Sequence, residues 1–309
     1  VPDINIPDVF RDPDETMENS NYTLFEDADD IFFLWNNGLY IINKNDGNVK
    51  TITNDCPFFT VCNKIIYYVG SDYCSINKYN LTTGKTTQIV KSGLEIYGVE
   101  CYNNKLYFAR ESGIDTAGGE APVYLYSSNL DGSKIKRLLD DAFYFAFYKN
   151  RMFYTESGGA DGAPLHEFDV NSHRNTLICE DAVNWYFEAS YGKVFYDNKI
   201  YDIIKKKNTD CKPLSECDTF TMDGQYLLYY ESSVDQATPV ILYAYDVNTM
   251  KTYSLSDITD IYKTADCVEL HTALENVYIT AASDRQAVIY RIDISGGKAS
   301  IKKIAQIII

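Results

Sequence analysis

The chain of 309 residues carries 28 Lys and Arg against 44 Asp and Glu, a formal net charge of −16. That balance excludes the basic footprint with which a nucleic-acid binder displaces counterions from phosphate. A hydrophobic fraction of 45 %, with 27 Tyr and 15 Phe, excludes a disordered chain and supplies a large core. No segment approaches the roughly 18 consecutive apolar residues of a membrane span, so this chain is not expected to insert into a bilayer.

Residues 1–20 hold six acids, one Arg and three prolines, the composition of a linker. Ile4, Ile6, Val9 and Phe10 also suit an ordered arm along sheet edges. The chain opens at Val1 without a charged stretch leading into an apolar run, so the expectation is a domain whose targeting segment or anchor precedes residue 1.

From residue 21 to 309 the sequence repeats. Aromatic-rich strand candidates recur at 31–35 (IFFLW), 65–69 (IIYYV), 105–109 (KLYFA), 151–155 (RMFYT), 193–197 (KVFYD), 226–230 (YLLYY) and 276–280 (NVYIT). Each is followed by a second apolar strand that ends near Asn43, Asn80, Asn129, Asp169, Asp202, Asp246 or Asp293. The mean period is about 42 residues, that of a four-stranded propeller blade. A shorter strand precedes each aromatic one across a two-residue turn: Ala28-Asp29, Asn63-Lys64, Asn103-Asn104, Lys149-Asn150, Tyr191-Gly192, Asp223-Gly224 and Glu275-Asn276. A fourth strand closes each unit, the weakest being TDCKPL at 209–214.

Seven such units and no helical periodicity define an all-β fold, a single β-propeller of four-stranded antiparallel blades. The blades span about 21–55, 56–94, 95–141, 142–181, 182–217, 218–258 and 259–309, and ring closure requires the first to pack against the last. The aromatic strands are continuous apolar runs rather than alternations, as expected where neighbouring blades cover both faces of a sheet.

The segment LYSSNLDGSKIKRLL (125–139), followed by RMFYTESG (151–158), resembles the repeat of the low-density-lipoprotein-receptor type of propeller, with its Tyr-Trp-Thr-Asp strand and Asn-Leu-Asp-Gly turn. It is also similar to a bacterial family of unknown function built on that propeller. The pattern departs from the receptor type twice: Tyr or Phe replaces the signature Trp in every blade, and the receptor propellers have six blades, which makes six the alternative count. The resemblance implies an extracytoplasmic or cell-surface recognition or scaffold domain, and it carries over no catalytic residue.

In such a fold the A–B and C–D turns share one face and the B–C and D–A connections the other. The A–B turns are uniformly tight and the B–C loops vary, which concentrates function on the B–C/D–A face. Three B–C loops share a pattern: Glu111 to Asp115, Glu156 to Asp161 and Glu231 to Asp235, each followed by a Pro. Arg110 and Arg285 lie at B-strand ends on the same face. Blades 2 and 7 have shorter versions of the loop pattern, Ser71-Asp72 and Ser283-Asp284, and with Asp55, Asp140, Asp141, Glu180, Asp181, Glu216, Asp218, Asp257 and Asp260 from the D–A connections these residues form an acidic rim suited to Ca²⁺ or to a protein, peptide or glycan ligand. The same residue types are also ordinary turn formers.

Enzymatic readings have less to stand on. A carbohydrate-active enzyme is the alternative, using rim carboxylates such as Glu111 and Glu156, but only seven Arg exist and no Ser-x-Asp-x-Gly-x-x-Trp repeat occurs. His166, His173 and His271 assemble no site by spacing, and no P-loop, nucleophile elbow or dinucleotide motif is present. DTAGG at 115–119 has no partner copy. The eight cysteines are scattered, with no zinc spacing. Most are expected as buried thiols, with a bridge open between Cys62 and Cys101 and between Cys211 and Cys217.

Overall fold

The computed structural model of the chain describes residues 18–19, 24–114, 121–156, 162–182, 187–190, 192–215, 217, 219–231, 238–273, 276–295 and 297–308. Seven sheets each contain four consecutive strands hydrogen-bonded in chain order. Strands A to D are Leu24–Glu26, Asp30–Trp35, Gly38–Asn43 and Val49–Thr53 in blade 1. In blade 2 they are Phe59–Cys62, Ile65–Val69, Ser75–Asn80 and Lys85–Lys91. Blade 3 has Ile96–Tyr102, Lys105–Glu111, Val123–Asn129 and Lys136–Leu139. Blade 4 has Tyr144–Tyr148, Arg151–Thr155, Ala163–Asp169 and Arg174–Ala182. Blade 5 has Phe187–Ser190, Lys193–Tyr196, Lys199–Asp202 and Lys207–Asp210. Blade 6 has Thr219–Asp223, Tyr226–Tyr230, Ile241–Asp246 and Lys251–Asp257. Blade 7 has Cys267–Ala273, Asn276–Ala282, Gln286–Ser295 and Lys298–Ile308. The fold is a seven-bladed β-propeller, and the alternative of six blades is excluded.

Local chemistry explains why the chain turns where it does. Asn63-Lys64 and Asn103-Asn104 adopt φ between 47° and 62°, the left-handed pair of a tight hairpin whose twist matches its strands. The C strands of blades 4, 5 and 6 end on Asp because its carboxylate caps the turn. Asp169 Oδ1 accepts the amides of Asn171 and Ser172 at 2.9 and 3.0 Å, and Asp202 and Asp246 repeat the arrangement. Four residues on, Gly47, Gly84, His173, Lys206, Met250 and Gly297 all have φ between 54° and 73°.

Packing follows from strand alternation. Phe32 belongs to the apolar core between blades 1 and 2, whereas Phe33 belongs to that between blades 7 and 1. Phe153 and Tyr154 divide likewise between the 4/5 and 3/4 interfaces, as do Tyr229 and Tyr230 between 5/6 and 6/7. A B strand buried on both faces must be apolar at every position, which is why these strands read as unbroken runs. Leu24, Ile31, Phe33 and Trp35 pack with Tyr278, Ile289 and Ile307 to close the ring.

Polar clasps accompany these cores. Between blades 2 and 3, Cys62 and Cys101 form a disulfide with Cα atoms 6.2 Å apart. Glu100 Oε1 accepts the Phe147 amide at 3.4 Å between blades 3 and 4, and Tyr148 Oη accepts the Gly192 amide at 2.8 Å between blades 4 and 5. The Tyr230 hydroxyl donates to the Val268 carbonyl at 2.6 Å between blades 6 and 7, and Asn276 Nδ2 donates to Glu26 Oε1 at 2.6 Å between blades 7 and 1. Tyr serves well here because its ring fills the gap while its hydroxyl finds a partner.

The structure corrects several details. The blade 6 hairpin turns at Gly224-Gln225, since Asp223 pairs with Tyr226, and Asn276 pairs with Ala273 as the first residue of its strand rather than as a turn residue. The fourth strand of blade 5 is Lys207–Asp210, and Lys212–Ser215 is a 3₁₀ turn. Pro213 there has no amide to give to a ladder. Cys211 and Cys217 are both free thiols. Glu18 and Asn19 pair with Phe147 and Ala146 on the free edge of the blade 4 A strand, as an arm on a sheet edge would. Among the described residues the one α-helical turn is Thr259–Tyr262, and no helix is long and apolar enough to cross a membrane.

Candidate functional site: an acidic cleft between blades 7 and 1

On the B–C/D–A face, the A strand of blade 7 stands between two clefts. The first, of about 470 Å³, lies between blades 7 and 1 and is lined by Trp35, the Asn36-Asn37 turn, Asp266, Cys267, Glu269, Thr280 and Asp284 among others. The second, of about 490 Å³, lies between blades 6 and 7 and shares Asp266, Cys267 and Glu269 with Tyr230 and Tyr262. Both fall in the size range of small-ligand sites. The first stays open because its bordering loops are short: Asn36 and Asn37, at φ 48° and 58°, reverse blade 1 in two residues.

Alternation along the A strand of blade 7 sends Cys267, Glu269 and His271 to one side. Cys267 Sγ is 3.9 Å from Glu269 Oε1. His271 Nε2 is 3.0 Å from Thr280 Oγ1 and 3.4 Å from Glu269 Oε2. Desolvation and the Glu269 carboxylate both push the Cys267 thiol up, so it stays protonated and is not an activated nucleophile. Four residues of strand separate Cys267 from His271 by about 13 Å, too far for a Cys–His dyad. The cleft presents three carboxylates, an indole and amide and hydroxyl groups, and none of its lining residues is Lys or Arg. Such a lining is negatively charged at neutral pH and favours positive charge over negative.

Apart from Ser283 and Asp284, which line the first cleft, the described residues among those singled out in the sequence for the rim stand elsewhere on the same face. Glu111 ends the B strand of blade 3, its amide donating to the Glu95 carbonyl at 2.9 Å. Glu156 follows the B strand of blade 4 and lies 3.0 Å from His166 Nε2. The His166 ring stacks on Tyr154 at 4.9 Å, and burial lowers its pKa against the opposing pull of Glu156. Glu231 is exposed beyond the B strand of blade 6. Arg110 donates to the Tyr126 hydroxyl at 2.8 Å and lies 4.2 Å over its ring, which engages it within its own blade. Arg285 is exposed in the short B–C turn of blade 7. Asp115, Asp161 and Asp235 lie outside the described residues. None of the five described ones, Glu111, Glu156, Glu231, Arg110 and Arg285, lines either cleft. Among the described residues, no three His, Cys, Asp or Glu side chains converge as metal ligands.

Asp266, Glu269 and Trp35 were not singled out from the sequence. The signal available was the polar Glu269 and His271 alternating with Val268 and Leu270 in an innermost strand, where the other side of the strand is apolar.

Fold and cleft together define the class: a seven-bladed β-propeller with an acidic pocket at one blade junction. No family model matches the chain, and no curated protein matches it. Among solved structures it is similar to a prolyl endopeptidase at TM-score 0.64 and 13 % identity, over 96 % of this chain and 50 % of that one. It is also similar to a Mycobacterium tuberculosis puromycin-hydrolysing peptidase at TM-score 0.62 and 10 % identity, over 94 % and 54 %. The chain thus spans about half the length of these two structures, and at such identities the likeness concerns the fold alone. A structure of a nidogen/laminin complex is similar at TM-score 0.45 and 9 % identity, over 90 % and 97 %, which carries no argument for the receptor type.

Proposed function

We propose that this chain is a non-catalytic binding propeller whose cleft between blades 7 and 1 takes a cationic side chain of a peptide or protein. One observation carries the reading: Asp266, Glu269 and Asp284 line one cleft with Trp35 and no basic lining residue. An ammonium or guanidinium group entering it gains charge-assisted hydrogen bonds to the carboxylates. The dispersal of Glu111, Glu156 and Glu231 over three separate blades supports binding over chemistry. The disulfide between Cys62 and Cys101 supports an extracytoplasmic setting, because such bonds persist in oxidising compartments. The Asn-Leu-Asp-Gly turn at 129–132 supports kinship with the receptor-type propellers and the bacterial family that resembles them.

Calorimetric titration with Lys- or Arg-containing peptides, with acidic peptides as controls, tests the proposal. Saturable binding of the cationic peptides is expected, weakened about tenfold or more in a variant combining Glu269→Gln with Asp284→Asn. Millimolar Ca²⁺ added as a competitor reports whether the same carboxylates also hold that ion. Equal binding of acidic and basic peptides would overturn the reading. Turnover of aryl glycosides that is lost in both Glu111→Gln and Glu156→Gln would replace it with the carbohydrate-active enzyme.

A further inference from the structure

The opposite face of the molecule, formed by the A–B and C–D turns, has the reverse character at blades 4 and 5. Blade 4 contributes Lys149, Arg151 and Arg174 there, and blade 5 contributes Lys193 and the run Lys205, Lys206 and Lys207. The carboxylates of the same turns are Glu167, Asp169 and Asp202, so seven cations meet three anions in a chain whose net charge is −16. Glu167 pairs with Arg151 and Lys206, and Asp202 lies 3.5 and 3.4 Å from Lys193 and Lys205. Lys149, Arg174 and Lys207 are exposed on the same turns, so the cations there outnumber the carboxylates by seven to three.

A second observation sits in the same turn. Ile204 is 86 % exposed, more than any other large hydrophobic residue described, and it immediately precedes the lysine run. Nothing local forces an apolar residue there, because the turn is made by the Asp202 carboxylate and by Lys206 at φ 54°. On the equivalent turn of blade 6, Met250 is 65 % exposed and is followed by Lys251.

We propose that this basic face of blades 4 and 5 docks peripherally on an anionic phospholipid surface, with Ile204 entering the headgroup region and the lysines contacting lipid phosphates. Charge complementarity selects an anionic surface, and the bare aliphatic tip selects a bilayer over a soluble polyanion, which would leave Ile204 in water. Burial of a side chain to a depth of about 5–10 Å is the reach of interfacial anchors, and a turn tip satisfies it without spanning. The acidic face does not cancel the attraction. The four-residue strands of blade 5 and the longer ones of blade 4 set the two faces at least about 13 Å apart, more than one Debye length of about 8 Å at physiological salt.

Flotation with vesicles of phosphatidylcholine alone, and of phosphatidylcholine enriched in phosphatidylglycerol, tests the proposal. The protein is expected to float only with the anionic vesicles and to be released by high salt. Each lysine near the surface accounts for about a fivefold change in partition, so Lys205→Glu with Lys207→Glu should reduce binding by well over tenfold. Ile204→Ser should weaken vesicle binding several-fold and leave binding to soluble polyphosphate unchanged. These side chains are exposed, so unchanged melting midpoints verify that the variants fold. Failure of the parent to float with anionic vesicles overturns the proposal. So does an Ile204→Ser variant that floats like the parent while polyphosphate binds strongly, which would assign the patch to a soluble polyanion.

Discussion

Glu188 Oε1 accepts the backbone amide of Met222 at 3.0 Å, so a carboxylate on the innermost strand of blade 5 holds the innermost strand of blade 6. The hydroxyl of Thr221 lies between that carboxylate, at 3.4 Å, and Thr272 of blade 7, at 3.1 Å. Glu188 is half-buried as a residue, and its Oε2 is sealed from solvent with no hydrogen-bond partner among the described residues. Desolvation outweighs the two hydrogen bonds and pushes its pKa up to about 7.

A carboxyl whose folded pKa is raised binds its proton more tightly when folded, so its contribution is fully present below the unfolded value, near 4.5, and is lost as pH rises through about 7. The span corresponds to about 3 kcal/mol. Glu188→Gln should therefore flatten the pH dependence of stability across that window and melt above the parent at mildly alkaline pH. Urea midpoints measured at several pH values check this; parallel curves for parent and variant would show that Glu188 is ionised throughout.

The disulfide joins positions 39 apart in sequence. Constraining a loop of that length contributes about 4 kcal/mol in the chain-entropy account. Cys62→Ala should lower the melting midpoint accordingly. Alkylation of the unfolded, unreduced parent should modify six of its eight cysteines; modification of all eight would show that the bridge does not form.

Phe153 is fully buried between blades 4 and 5, and Tyr154 is 2 % exposed between blades 3 and 4. Either truncation to Ala should cost about 3–5 kcal/mol. Because the two rings serve different interfaces, the losses should be close to additive if the double variant still folds. Denaturant midpoints near the parent's in both single variants would contradict burial between blades.

Met250 holds φ 58° with its side chain 65 % exposed. The left-handed region is unfavourable for any residue with a Cβ, and little contact is lost on removing this one. Met250→Gly should therefore stabilise the protein by about 0.5–1 kcal/mol despite the added freedom of the unfolded chain. A lower denaturation midpoint in the variant would show that the side chain packs in solution.

Features governed by neighbours along the chain were legible in the amino-acid sequence. Strand alternation makes a doubly covered strand apolar throughout, hence the runs around Phe32, Tyr67 and Phe153. Side chains that cap their own turns put Asn or Asp at the end of the C strands of blades 1, 2, 4, 5 and 6, which made the period visible. The acids Glu111, Glu156 and Glu231 and their distribution over blades 3, 4 and 6 were equally visible, because the repeats align them. The blade 5 segment at 209–214 misled because a run with strand-like ends hid Pro213, whose missing amide ends the ladder.

Features that join one blade to another were decided by the closed ring. Cys62 and Cys101 were adjacent candidates, and only the juxtaposition of two inner strands bridges them. The Glu188 clasp on Met222 has no local signature, since its partner is a backbone amide of another blade. Trp35 and Asp266 stand far apart in sequence and line one cleft because blade 1 meets blade 7. Short-range hydrogen bonding and burial periodicity are written into consecutive residues, whereas a site between blades exists only once seven sheets fix where the first and last meet.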